Sequence, residues 1–298
     1  MPSLKEVRTR IASIKSTRQI TSAMKMVSSS KLLKSQRGIM GLRPYAASLR
    51  QMIDHLSAEL IPEEKSRFTL PCSGNKALII SIASSKGLCG TYNTLIIKRT
   101  LDHIHFLQKL GFEVQLLLAG RKAEDYFKKR EFQIYQLNHS VIEGVNYTDS
   151  AHFANELMQL LHNQTFSRID VVYNHFRNAI FHELVTEQLL PIPESPDIMV
   201  LTEEENKFFI EPPKIILEPS RKDVVENMIP KFIQLNIYRI LLDASASEHG
   251  ARMTAMQKAT DNATELLKTL TLTYNKVRQA MITREIVEIV SGAEVLNE

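Results

Sequence analysis

Apolar residues recur every three or four positions near the amino terminus, which is the spacing that forms one face of an α-helix. They are Leu4, Val7, Ile11 and Ile14, followed after a slip around 16–18 by Ile20, Met24 and Val27. Ser3 and Glu6 form an S-x-x-E capping box, which begins a helix. The pattern therefore predicts one long helix within residues 1–58, weakened near Gly38–Pro44.

The carboxyl-terminal part repeats this spacing over a longer distance. From residue 256 the apolar positions are Met256, Ala259, Ala263, Leu266, Leu270, Tyr274, Val277 and Met281. Pro230 and Gly250 are the strong helix breakers between residue 221 and Gly292. A helix of about 70 residues is on the order of 100 Å long, more than a globular domain needs. We predict that the helices of 1–58 and 221–298 bury their narrow apolar stripes against each other as an antiparallel coiled coil.

Between these helices, short apolar runs alternate with segments of helical periodicity. The predicted strands are Lys76–Ser84, Glu113–Gly120 and Arg168–Phe176, and the predicted helices are Thr91–Leu110, Arg121–Arg130 and Ala151–His162. His182–Ile192 is a candidate antiparallel edge strand. The alternation predicts an α/β fold, with a Rossmann-like, largely parallel sheet inserted at 74–200 and a proline-rich linker at 201–220.

Charge is distributed unevenly along the 298 residues. The net charge is +4, but residues 1–43 carry ten Lys or Arg against the single acid Glu6, so this segment alone is +9. No apolar run approaches the length of a membrane span, which predicts a soluble protein. Cys72 and Cys89 form no CxxC pair, which indicates a reducing compartment and argues against structural zinc.

The segment Ser84–Asn93, SSKGLCGTYN, is a glycine-bearing turn between a predicted strand and a predicted helix. Such turns can hold phosphate, yet Gly87 and Gly90 give only G-x-x-G, so a tight turn is the favoured interpretation and a nucleotide-dependent enzyme the weaker one. A second alternative is nucleic-acid binding by the basic segment 1–43, which we call the basic arm. The apolar face of that arm and its lack of aromatic residues before Tyr45 argue against it.

Local sequence indicates no catalytic or metal-binding group. His103 and His105 lie on different faces of a predicted helix, and His249 has no ligand-like spacing. The tail is apolar, with Ile286, Val287, Ile289, Val290, Val295 and Leu296. This tip either folds onto the chain's own core or inserts into a hydrophobic sleeve supplied by another protein.

Three stretches closely resemble the signature regions of gamma subunits of F-type ATP synthases. They are IASIKSTRQITSAMKMVSSSKL at 11–32, SSKGLCGTYN at 84–93, and the long stretch from SEHGARM to IVSGAE at 247–294. The resemblance implies a central rotor shaft whose terminal helices lie inside a hexamer of alpha and beta subunits. It further implies an α/β domain beside the epsilon subunit and the c-ring, and a chain that regulates ATPase activity without a catalytic site or cofactor of its own.

The resemblance also implies roles for single residues. Expected contacts to the beta subunits, or positions that affect coupling, are Met24, Lys25, Arg252, Arg278, Gln279, Thr283 and Glu288. The bearing tip is expected at Ile286, Ile289 and Val290, and the family's signature turn at Gly87, Leu88, Cys89 and Gly90. The family-like start implies a bacterial complex, peripheral on the cytoplasmic face of the inner membrane, with no membrane insertion and no nucleic-acid partner.

Overall fold

A computed structural model describes residues 3–58, 68–70, 72, 74–178, 182–193, 218 and 220–296. Two long helices, α1 (Leu4–Ala58) and α5 (Arg221–Leu296), flank the remaining elements in the chain. Packing divides the described residues into two compact units. The first combines the stretch up to Ser28 with the stretch from Arg252 onward, and the second is Ser29–Ala251.

Helix α1 begins where the sequence predicts, because the Ser3 hydroxyl accepts a hydrogen bond from the Glu6 N–H at 3.2 Å. The helix runs unbroken through 38–44 although Pro44 lies inside it. An interior proline costs about 3 kcal/mol. Burial of Ala46, Leu49 and the apolar residues that follow offsets this cost.

The buried stripe of α1 differs from the predicted one in its middle third. Positions that are buried or half-buried, each three or four residues from the next, are Leu4, Val7, Ile11, Ile14, Arg18, Thr21, Lys25, Ser28, Leu32, Ser35 and Ile39. The predicted slip around 16–18 is therefore wrong, and Ile20 and Val27 are each 58% exposed. Thr21 and Ser28 can take buried positions because their hydroxyls donate to the carbonyls of Arg18 and Met24.

In α5 the predicted stripe also needs correction. Leu266 is 51% exposed, and Met281 is exposed as well. The stripe instead follows Met256, Thr260, Ala263, Leu267, Leu270, Tyr274 and Val277, which alternate steps of four and three. Thr260 replaces an apolar residue because its hydroxyl lies 2.9 Å from that of Thr21, so each hydroxyl has a partner in the first unit.

The sheet of the second unit has the order β3-β2-β1-β4-β5. Its strands are β1 (Lys76–Ile82), β2 (Glu113–Ala119), β3 (Ile134–Leu137), β4 (Arg168–Phe176) and β5 (His182–Leu190). All neighbours pair in parallel except β5, which is antiparallel to β4, as predicted. Strand β3 is not predicted from the sequence, because its four residues alternate between half-buried and exposed positions and form no apolar run.

Three helices cover the sheet in addition to the long ones: α2 (Tyr92–Lys109), α3 (Arg121–Phe127) and α4 (Tyr147–His162). A single 3₁₀ turn follows α3 at Lys128–Arg130. Helix α4 begins four residues earlier than predicted, because the Asn146 side chain accepts from the Asp149 N–H at 2.8 Å and so caps it.

Two apolar clusters lie on the two faces of the sheet. One packs α4 and parts of α1 and α5 against β-strand residues such as Leu78 and Leu117. The other packs α2 and α3 around Ile79 and Val172. The long helices therefore share a core with the sheet within the second unit. Across the described ranges, no helix is long and apolar enough to cross a membrane.

Candidate functional site

The turn between β1 and α2 is held together by its own side chains. The Ser84 N–H donates to Asn93 Oδ1 at 2.9 Å, and the Ser84 hydroxyl donates to the carbonyl of Lys86 at 2.7 Å. The Asn93 amide contacts the sulfur of the buried Cys89 at 3.1 Å. Two residues adopt left-handed backbone, Leu88 with φ of 64° and Gly90 with φ of 61°. Gly90 supplies freedom that the turn requires, and Leu88 holds its exposed side chain in a conformation that is strained for leucine.

This turn lies where ligands usually bind in doubly wound folds. Strand β1 pairs with β2 on one side and β4 on the other, so the connections diverge at its carboxyl end, which is where folds of this kind usually have a crevice. Helix α5 occupies this position. The Tyr92 hydroxyl donates to the carbonyl of Ala244 at 3.2 Å, and the Ser247 hydroxyl donates to the carbonyl of Asn174, near the end of β4, at 3.1 Å.

Small side chains allow α5 to approach this closely. Ala244, Ala246 and Ser247 are buried, and hydrogen bonds join Ala244 to the start of α2 and Ser247 to the end of β4. A phosphate in the crevice would have to displace this helix. The geometry therefore favours the tight-turn interpretation of Gly87–Gly90 over the nucleotide-dependent one. Among the described residues, no group of three or more histidine, cysteine or acidic side chains could hold a metal ion.

The carboxyl-terminal stretch of the first unit is exposed from 278 to 291. Ile286, Ile289 and Val290 all face solvent, and Ile289 is 70% exposed. The alternative in which this tip folds onto the chain's own core is therefore wrong for these three residues. The side chains of Val295 and Leu296 lie outside the described residues.

The residues expected to contact beta subunits occupy different environments. Arg278 and Gln279 are exposed, the Thr283 hydroxyl donates to the carbonyl of Gln279 at 3.0 Å, and Arg284 pairs with Glu288 at 2.8 Å. Met24 and Lys25 are half-buried. Arg252 is buried, unlike the rest of this set. Their partner contacts stay predictions.

Helix α1 carries a second apolar face that sequence reasoning missed. Met26, Leu33 and Met40 recur every seven residues, and each is more than half exposed. Seven residues are two helical turns, so these side chains project in the same direction. Beside Met26 the first unit has an open groove of about 430 Å³, lined by Arg18, Gln19, Ser22, Ala23, Thr260 and Thr264. The seven-residue spacing of these side chains is visible in the sequence. It was overlooked because the apolar residues of the buried stripe recur along the same helix.

Glu124 accepts hydrogen bonds from Lys128 and, at 2.7 Å, from His139. The Lys128 ammonium and the His139 ring lower the pKa of this carboxyl against the opposing effect of burial. A lowered folded-state pKa stabilises the protein above the ordinary value of 4.5, and this contribution is lost as pH falls through the folded pKa. Glu124→Gln should lower the melting temperature at pH 7 by about 2 °C, and the difference should shrink below pH 4.5.

Thermal melts from pH 3 to pH 8 test this expectation on the whole chain. Asp125→Asn is the matched control, because its carboxyl is well exposed on the same helix and contacts Lys122 at a longer 3.4 Å. A difference between wild type and Glu124→Gln that stays constant across the acid range would contradict the assignment.

The long helices expose apolar and basic side chains, and one of them occupies the position at which a doubly wound sheet usually binds a ligand. These features are those of a subunit that works within a larger assembly. The chain belongs to the ATP synthase gamma-chain family: the family model described as ATP synthase matches residues 3–296. The ATP synthase gamma chain of Christiangramia forsetii is 43% identical over 300 residues and covers 100% of both chains. That of Flavobacterium psychrophilum is 43% identical over 99% of both chains.

Solved structures give the same fold. A chain in the central stalk and c-ring structure of Tetrahymena thermophila mitochondrial ATP synthase aligns with a TM-score of 0.55 at 25% identity, covering 80% of this chain and 99% of that one. These relatives give no support to the nucleic-acid-binding alternative.

Proposed function

We propose that this chain is the central-stalk rotor subunit of a bacterial ATP synthase. The observation that carries the proposal is the match to gamma chains over the full length of both proteins, at 43% identity. In this role the chain couples ion flow through the membrane sector to ATP synthesis in the beta subunits by rotating, and it regulates ATPase activity. It contributes no catalytic residue or cofactor of its own.

Each segment of the chain has its own proposed role. The helices of 1–58 and 221–298 form the shaft, the α/β domain of 74–200 lies outside the hexamer beside the epsilon subunit and the c-ring, and 201–220 links domain and shaft. The complex is peripheral on the cytoplasmic face of the membrane. The T. thermophila chain to which this one is similar comes from a central stalk with its c-ring, which supports the partner assignment.

Rotation by such a chain has a simple physical basis. A single asymmetric rotor presents different side chains to three equivalent beta subunits, so each subunit is stabilised in a different state. The exposed set Arg278, Gln279, Thr283 and Glu288 supplies polar contacts of this kind, and the apolar tip supplies a bearing. Arg278 suits the task because a guanidinium can bind a carboxylate through two hydrogen bonds.

The basic helix supplies the second contact surface. The ten basic residues within 1–43 greatly exceed the acidic ones, so this segment is complementary in charge to an acidic surface on another chain. Met24 and Lys25 are proposed to face the acidic lever segment of the beta subunits, and Arg252 to affect coupling from its buried position. Exposed charge pairs are weak and screened by salt, which allows contacts to break at each step.

Reconstitution tests the function directly. The chain is mixed with purified alpha and beta subunits of the F. psychrophilum enzyme, and a bead is attached through Lys109→Cys on the α/β domain in a Cys72→Ser background. Stepwise rotation in one direction with ATP is expected. No complex with this chain, although the F. psychrophilum gamma chain assembles under the same conditions, would refute the proposal and return the basic arm to nucleic-acid tests.

Arg278→Ala is expected to lower ATP-driven torque and synthesis while leaving assembly intact. Loss of one charge-assisted hydrogen bond weakens a contact by about 1.5–3 kcal/mol. The neighbouring exposed Lys276→Ala is the matched control. Torque is measured from bead rotation against viscous load, and synthesis in energised membranes. Equal values for Arg278→Ala and wild type would remove Arg278 from the proposed contact surface.

A further inference from the structure

A partly buried ionic network joins α5 to two strands of the sheet, wholly within the second unit, with Tyr173 and Asp243 as its buried members. We call Tyr173, His175, Glu187, Arg239 and Asp243 the α5 junction. Arg239 donates to both carboxylate oxygens of Glu187, at 3.0 and 3.2 Å, and to the Tyr173 hydroxyl at 3.2 Å. Asp243 Oδ2 lies 2.8 Å from His175 Nδ1 and 3.5 Å from Arg239 Nη1.

The protonation states in the junction follow from its burial. Burial raises the pKa of the Tyr173 phenol well above its ordinary value, so this group is neutral and donates to Glu187 at 3.0 Å. Burial opposes the charge of Arg239, but its hydrogen bond to Tyr173 and the carboxylates of Glu187 and Asp243 raise its pKa above the ordinary value. The guanidinium therefore stays charged and fixed between acceptors on two elements of the sheet.

Stability alone does not account for this arrangement. Buried ion pairs are often no more stabilising than apolar residues of the same volume, because their desolvation offsets their attraction. Asp243 is 1% exposed, and its Oδ1 has no hydrogen-bond partner among the described residues. Apolar packing would fill this space without leaving an unsatisfied oxygen.

Directional bonding is what the junction adds. Arg239 and Asp243 lie one turn apart on the same side of α5, and they bind β4 through Tyr173 and His175 and β5 through Glu187. Apolar contacts are non-directional, whereas hydrogen bonds to two strands favour one rotational position of the helix. The junction therefore adds directional restraints on the angle at which α5 lies on the sheet, beside the hydrogen bond from Ser247 to Asn174.

We propose that the α5 junction is the torque-bearing joint of the rotor. It fixes α5 on the α/β domain within the second unit, so a rotation applied to the domain is transmitted to α5 through these bonds. This inference rests on the proposed function, because it assumes that torque enters through the α/β domain. Its residues are positioning residues, and the property they determine is torsional stiffness.

The same sheet contains a matched control. Asp170 on β4 is 1% exposed and binds His103 on α2 at 2.7 Å and Arg168 at 2.9 Å. This cluster also combines a carboxylate that is 1% exposed with a histidine and an arginine, but the contacts described for it reach α2 and not α5. Breaking it should lower stability without changing the angle between α5 and the sheet.

The test measures thermal angular fluctuation in the reconstituted complex, stalled with a non-hydrolysable ATP analogue and carrying the bead on Lys109→Cys. Angular variance is inversely proportional to stiffness, and Arg239→Met removes most of the directional bonds, so the variance should roughly double. Asp170→Asn should leave the variance unchanged even where it lowers the melting temperature by a similar amount. Glu187→Gln, which keeps the shape and one acceptor, should give an intermediate value.

The double variant Arg239→Met, Glu187→Leu separates a mechanical role from a structural one. An apolar pair of similar size should restore the melting temperature towards wild type, because no unpaired Glu187 carboxylate remains and Asp243 keeps its contact with His175. The angular variance should nevertheless stay high. Variance that returns to the wild-type value together with stability would overturn the proposal, as would equal effects of Arg239→Met and Asp170→Asn. Absence of rotation by the unmodified chain would instead refute the rotor function itself.

Discussion

Alanine in place of Gly120 is expected to lower the free energy of unfolding by about 3–5 kcal/mol, near the upper end for a single substitution. Gly120 directly follows β2 and has φ of 104°, a backbone conformation that strains any residue with a Cβ. An added Cβ would lie 2.1 Å from the carbonyl oxygen of Ala83. The backbone fixes the position of the Cβ, and the oxygen is a backbone atom at the carboxyl edge of parallel strands, so neither atom can rotate away.

Gly144→Ala is the matched control for Gly120→Ala. Gly144 has φ of 89°, but a Cβ there would meet no atom within 4 Å. It should therefore show only the conformational strain, about 1–2 kcal/mol. Urea unfolding followed by circular dichroism measures both variants. Equal losses would mean that the approach to Ala83 relaxes at little cost.

The double variant Ile289→Asp, Val290→Asp is expected to weaken binding to the alpha–beta hexamer at least a hundredfold. Each side chain stands to gain about 1.5–3 kcal/mol from burial in a partner, and a buried carboxylate adds a desolvation penalty. The isolated chain should melt as wild type does, since Ile289 and Val290 are 70% and 55% exposed. The large effect on assembly and the small effect on folding distinguish a bearing from a core.

Calorimetric titration of the hexamer with each variant measures this difference. Glu285→Gln is the control, because it changes an exposed charge in the same helical segment without touching the apolar tip. Unchanged affinity of the double variant would exclude these residues from the interface and leave the polar set around Arg278 as the contact to be tested.

The elements that the sequence predicts correctly are those with a distinctive composition. Strands β1, β2 and β4 are largely buried on both faces and therefore contain short apolar runs, which are ALII, LLLA and VVY. Strand β3 lies at the sheet edge and has no such run. The buried stripes of the long helices were misplaced where hydroxyls replace apolar residues, at Thr21, Ser28 and Thr260. A polar residue bonded to its own helix is invisible to a search for apolar periodicity.

The functional features depend still more on distant residues. The turn at Gly87–Gly90 was found by its resemblance to a family, but its closure by α5 joins residues about 150 positions apart, such as Tyr92 and Ala244. The α5 junction combines three elements that no local pattern connects. Arg239 is an ordinary basic residue in the sequence, and only the fold places it beside Glu187.

The shared core has a consequence for how this protein could have evolved. Residues of α5 and α1 form part of the apolar cluster on one face of the sheet. The α/β part is therefore not an independent domain that could be transferred to another protein. Excised, its strands would present that apolar face to water, and the Tyr92 hydroxyl would lose its helix partner. Sheet and long helices must therefore be inherited together, and changes in one constrain the other.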